Sequence, residues 1–171
     1  MGIYNVEFKA RVSWEQLSRH EEKLKTLNPR YIGEDVQSDT YFQARTGRLK
    51  LREGRIENAL IHYHRPNTPD AKLSEVILYR HQPDPSLKDI LTLHLGIKTV
   101  VRKTRRIYFV DNVKFHFDEV DGLGSFLEVE AIDDGGKHTT EALKAQCDKY
   151  FHFFGLTDAD LVAESYSDML L

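Results

Sequence analysis

Cysteine is almost missing from this chain. Cys147 is its one cysteine, so no internal disulfide can form and a reducing, cytoplasmic setting is the expectation. Long apolar runs are missing too: none approaches the roughly 20 residues that a membrane-crossing helix needs, so no membrane partner is expected. Nor is there an excess of positive charge. The formal net charge of −3 gives no general attraction to nucleic acid. The opening stretch MGIYNVEFKARV lacks the basic-then-apolar layout of a secretory signal. No internal repeat, low-complexity tract or domain boundary interrupts the chain. Hydrophobic residues at 40% and charged residues at 30% argue against disorder, and 171 residues suffice for one domain, expected to span 1–171.

What the chain does have is strand after strand with one apolar and one ionic face. In Ile3–Val12 the apolar set Val6, Phe8, Ala10 and Val12 alternates with Asn5, Glu7, Lys9 and Arg11. Ser13 with Gln16 reads as a capping box opening a helix over about Trp14–Leu27, ended by Asn28-Pro29. Strands follow at about Tyr31–Ala44, Arg48–Glu53, Ala59–Arg65 and Leu73–His81, with a turn-rich loop at Pro66–Lys72. A short helix over Ser86–Leu95 has Ser86 as its cap and Gly96 as its stop. Thr99–Asp111 alternates again, with Lys103 and Arg105 on one face. After Gly135-Gly136, Thr139 or Thr140 caps a helix reaching about Phe154. A last short helix begins near Asp158, ahead of the tail Glu164–Leu171.

The most telling stretch is Lys114–Glu130, KFHFDEVDGLGSFLEVE, two strands joined by a tight turn at Gly122 and Gly124. His116 and Asp118 share a face of the first strand; Phe126, Glu128 and Glu130 share a face of the second. Carboxylates crowded on one face repel unless a cation sits between them. Two arrangements satisfy this pattern. The ionic faces can point into water around an apolar core, or they can line a closed barrel whose apolar outside is covered by helices. The second requires pairing, hydration or an ionic ligand for the enclosed charges.

A resemblance chooses between them. VEFKARV, SDTYF at Ser38–Phe42, GRLKLRE at Gly47–Glu53, VRKTR at Val101–Arg105, FDEVDGLGSFLEVE at Phe117–Glu130 and SYSDML at Ser165–Leu170 come in the order and spacing of one family. The sequence resembles the CYTH superfamily, which includes class IV adenylyl cyclases, thiamine triphosphatases and inorganic and RNA triphosphatases. The resemblance implies an α+β fold: an eight-stranded antiparallel β tunnel with a charged interior, flanked by amphipathic helices. It also implies a metal-dependent enzyme, either a triphosphatase or an adenylyl cyclase. The expected partner is a small-molecule triphosphate. No basic run outside the tunnel positions recommends nucleic acid, and an exposed strand edge or helix face could support a homodimer.

On that resemblance Lys9, Lys50, Arg52, Lys103 and Arg105 form a phosphate cradle, with Arg11 and Arg48 as weaker members. Arginine suits phosphate through its planar fork and lysine as a mobile point charge. Tyr41 could donate to phosphate or simply pack. Glu7, Asp118, Glu128 and Glu130 are the implied ligands of Mg2+ or Mn2+, and Glu7, Lys9, Glu128 and Glu130 the implied catalytic set. Hydrolysis of a triphosphate is the expected reaction. Cyclisation of ATP to cyclic AMP and pyrophosphate is the alternative, and a non-catalytic binder is the alternative of another class. Two departures stand out. Asn5 occupies the place of the first Glu in the family's E-x-E-x-K pattern. In Tyr63-His64-Arg65-Pro66, strand parity assigns His64 to the tunnel where the family has Lys or Arg, which would make binding depend on pH. The histidines show no i,i+4 spacing, so no zinc site is expected.

Overall fold

Alternation dictates the architecture. A computed structural model describes residues 3–68 and 70–171, so Met1 and Gly2 of the opening stretch and Pro69 of the expected loop lie outside the described residues. The strands are β1 (Ile3–Val12), β2 (Arg30–Phe42), β3 (Arg48–Glu53), β4 (Asn58–His64), β5 (Lys72–Arg80), β6 (Ile97–Val110), β7 (Val113–Val120) and β8 (Gly124–Asp133). They close into one antiparallel barrel in the order β1-β5-β4-β3-β2-β6-β7-β8, with β8 returning to β1. Among the described residues, closure gives every strand a neighbour on both sides, and an inside and an outside.

The helices cover part of the outside. α1 (Trp14–Lys25) starts at the expected capping box, in which Ser13 and Gln16 satisfy each other's backbone N–H groups. α3 (Thr140–Phe153) is capped by Thr139. Leu17 and Leu24 of α1 and Leu143, Cys147 and Tyr150 of α3 pack on Val6, Phe8, Phe115, Leu127 and Val129, the outward side chains of β1, β7 and β8. The Cys147 thiol is buried there, donates to the Val6 carbonyl and is pushed up to about 12 by its burial. α2 (Pro85–Leu95) is capped by Asp84 rather than Ser86, because the Asp84 carboxylate accepts from the Ser86 N–H. It leaves Ile90 and Leu93 exposed, as β5 does Leu73, Ile77 and Tyr79.

Two features finish the barrel ends. The tail contains a helix that the sequence pattern left as a tail, α4 (Tyr166–Met169), after a 3-10 turn at Asp158–Asp160. α4 sends Tyr166 inside, against Phe126, and Asp168 pairs with Arg48 at 2.6 Å. At the other end of β3, the turn over 54–57 is held by Asp35, whose carboxylate accepts the N–H groups of Arg55, Ile56 and Glu57. Glycine is required at 54: a Cβ there would sit 2.6 Å from that carboxylate.

Candidate functional site

Register places the ionic side chains. Glu7 faces Glu130 and Lys9 faces Glu128 across β1 and β8; on the next strand Lys114 faces Glu130 and His116 faces Glu128. Lys103 and Arg105 project inward from β6, and Lys50 and Arg52 from β3, so one cavity of about 630 Å³ is lined by all of them. The interior is divided. Cations gather on β3 and β6, acids on β1 and β8, and Ile61, Val76 and Leu78 of β4 and β5 form an apolar wall.

Beneath the cations lies Asp39 of β2, buried at 1% exposure. Its carboxylate accepts from Arg52 at 2.9 and 2.8 Å and from Lys103 at 2.8 Å, and it stands 3.4 Å from Lys50. Burial works to raise its pKa, but Arg52, Lys103 and Lys50 outweigh burial and hold it well below the carboxylate range. Lys103 is nevertheless pushed down to about 7, by burial first and then by its cationic neighbours Arg52, Arg105 and Lys50, despite Asp39. Burial likewise pushes Lys9 down to about 8 against the attraction of Glu128. Burial therefore costs these two lysines more than their anionic neighbours return.

On the acidic side, burial together with Glu7 and Glu128 raises the Glu130 carboxyl from its ordinary value, against Lys114 and Arg105. Glu128 moves the other way, because Lys9 and Arg105 outweigh burial and hold it well down. Asn5 donates to Glu130 at 2.6 Å, which leaves Asn5 Oδ1 buried with no partner. His116 is buried with neither ring nitrogen hydrogen bonded; burial, Arg105 and Lys114 push its pKa well down. Orphaned buried acceptors beside crowded carboxylates are the environment that a hard divalent cation satisfies, so these residues fit such an ion.

Several placements differ from expectation. Arg11 lies outside the cavity, exposed at the barrel rim, where its guanidinium donates to the Leu123 carbonyl and stacks on Phe126. Arg48 is tied to Asp168 and also does not reach the cavity. Asp118 faces inward as expected, where Arg105 holds both its oxygens at 2.7 Å and Tyr166 donates to it at 2.8 Å; with His116 and Glu128 it forms a buried group whose ligand atoms lie within 4.8 Å of one another and could hold a metal ion. His64 is exposed. Ile61 and Tyr63 set the inward parity of β4, and Arg65 continues it into the cavity, paired with Glu7. Arg65, not His64, therefore faces the cavity just before Pro66, which corrects the expected inward histidine.

The residue patterns also missed members of the site. Arg65 lies on the face opposite to the one expected; Glu57 belongs to no motif, and Lys114 and Tyr166 sit in the Lys114–Glu130 and SYSDML stretches without being picked out as site residues. Glu57 reaches in from the Asp35-held turn and pairs with Arg52 and Lys114, which outweigh burial and hold it far below the carboxylate range. His116 shares a strand face with Asp118, and that was a usable signal, although helical spacing was the wrong ruler for it.

Comparison with known proteins follows this geometry. The model of the CYTH domain matches residues 4–166. A relative from Methanocaldococcus jannaschii, provisionally named an adenylate cyclase, is 28% identical over 137 residues, covering 73% of this chain and 76% of that protein. A solved structure from Vibrio parahaemolyticus, with the same provisional name, superposes with a TM-score of 0.75 at 21% identity, over 99% of each chain. The RNA triphosphatase of Schizosaccharomyces pombe is a more distant match, with a TM-score of 0.54 at 11% identity over 90% of this chain and 78% of that one. At such identities the two structural likenesses are of fold.

Proposed function

Because the chain belongs to the CYTH domain family, we propose that it is a divalent-metal-dependent enzyme that binds a triphosphate compound inside the barrel and hydrolyses it. The observation that carries this reading is a cation cradle and an acid cluster side by side in one cavity, joined by the Arg65–Glu7 and Arg105–Glu128 pairs. Arg52, Arg65 and Arg105 offer forks for phosphate oxygens, and Lys9, Lys50 and Lys103 add point charges along the chain of phosphates. Glu7, Glu128 and Glu130 would hold Mg2+ or Mn2+. A bound ion of this kind supplies charge compensation on phosphate oxygens during transfer. Asp39 and Asp118, buried behind the arginines, fix their orientation before substrate arrives, which lowers the entropic cost of binding. Glu7, Lys9, Glu128 and Glu130, which face one another across β1 and β8, would make up the catalytic set.

Adenylyl cyclase activity is the second reading. It is favoured by the apolar wall of Ile61, Val76 and Leu78, which offers an organic group a place beside the cradle. The deciding experiment incubates the protein with tripolyphosphate, thiamine triphosphate and ATP, each with Mg2+ or Mn2+. Orthophosphate release is expected. Cyclic AMP with pyrophosphate would establish the cyclase instead, and binding with no product would mark a silent binder.

A further inference from the structure

The acid cluster contains a nitrogen donor with nothing to bind. His116 is 3% exposed, lines the cavity and has no hydrogen bond at either ring nitrogen. Its Nε2 stands 3.9 Å from Oε2 of Glu130. The other Glu130 oxygen is fixed by the Asn5 amide, whose own Oδ1 is buried and orphaned. A histidine that only filled space would have a partner for at least one nitrogen, as the large majority of buried side-chain polar atoms do. Leaving such atoms unpaired gives up their hydrogen bonds to water with nothing in exchange.

We propose that His116 ligates the divalent cation directly, together with Glu130 and Asn5 Oδ1, and makes the site prefer a transition ion such as manganese or cobalt to magnesium. This rests on the metal-triphosphate reading above and adds the ligand atoms and the choice of ion. Two donors each about 2.1 Å from one ion stand roughly 3 to 4 Å apart, and the 3.9 Å between His116 and Glu130 falls in that range. Asn5 contributes an oxygen but no charge where the family pattern has a glutamate, which weakens a purely oxygen-based hold on magnesium. An imidazole nitrogen restores affinity for first-row transition ions and does little for magnesium. Asp118 and Glu128 each bring an oxygen within 4.8 Å of the His116 ring, but both accept from Arg105, Asp118 through both of its oxygens, so His116 is the member of that group with no partner of its own.

Pulsed electron paramagnetic resonance of the wild-type protein loaded with Mn2+, alone and with tripolyphosphate, tests this without relying on any variant. The expected spectrum shows coupling to a directly bound nitrogen that changes when histidine is labelled with 15N. His116→Gln should lose that coupling and bind Mn2+ roughly tenfold more weakly by calorimetry, with Mg2+ affinity changed by less than about twofold. Manganese bound to the wild type without nitrogen coupling overturns the proposal, as does equal loss of both ions in the variant. In those two cases the ion still binds and the metal-triphosphate reading survives. Failure of the wild type to bind either ion, with or without tripolyphosphate, overturns both.

Discussion

Asp39→Asn is the substitution that probes the cradle most sharply. The carboxylate compensates Arg52, Lys103 and Lys50 at distances between 2.8 and 3.4 Å, and it is all but sealed from water. Asparagine keeps the shape and removes the charge, so buried cations are left uncompensated. Breaking a buried pair from one side costs about 3–5 kcal/mol. At roughly 2–4 °C per kcal/mol for a chain of this length, the melting temperature should fall by about 6–20 °C. The lost charge is also what a polyanion can replace. Tripolyphosphate should therefore raise the melting temperature of the variant by more than that of the wild type, in a scanning-calorimetry series at neutral pH. The pH dependence has a definite sign. Asp39 has a depressed pKa in the folded protein, so its contribution is present above the ordinary carboxylate value and fades as pH falls below it. The gap between wild type and variant should accordingly narrow in acid. A variant that melts within about 2 °C of wild type, or one that tripolyphosphate stabilises no more than wild type, would refute the assignment of Asp39 as the anion that holds the cradle together.

Other outcomes follow from the same geometry. Lys9 and Lys103, near 8 and 7, should take up protons when a polyanion binds, so tripolyphosphate affinity should fall as pH rises from about 7 to about 9; calorimetry in buffers of different ionisation enthalpy measures the uptake. Arg65→Ala should weaken tripolyphosphate binding by roughly tenfold or more, whereas His64→Ala and Arg11→Ala should leave it within about twofold, since surface changes rarely matter; direct titration of the three variants ranks them. Glu130→Gln should lower metal-dependent turnover by at least about 10²-fold with little loss of stability, because it removes a charge from a mutually repelling set. Turnover at the wild-type rate would remove Glu130 from the site.

Much of this site was legible before any coordinates. Period-two alternation gave the strands within a residue or two, and the Ser13–Gln16 capping box gave the start of α1 to the residue. Which way the ionic faces point was not legible, because alternation separates two faces without saying which is inside; only the resemblance settled it. His64 shows the cost of a parity slip. The inward set of β4 is Ile61 and Tyr63, continued by Arg65, and an error of one residue moves every side chain to the other face. Arg11 failed for a different reason: its face was right, but it lies past Lys9 at the rim, where the inside ends. Glu57 was invisible because it arrives through a turn held by Asp35; Lys114 and Tyr166 lie in quoted stretches, but nothing local says that they reach the cavity. Those contacts are long range and leave no local pattern.

The central claim is that the enclosed ionic surface of this barrel exists to hold a metal-bound triphosphate. The most direct measurement is a crystal structure with a non-hydrolysable triphosphate and Mn2+, the ion located by its anomalous scattering. Phosphate oxygens should lie within hydrogen-bonding distance of Arg52, Arg65 and Arg105, with the manganese peak beside Glu130. A triphosphate bound on the outer surface, with these arginines still paired only to the protein's own carboxylates, would contradict it.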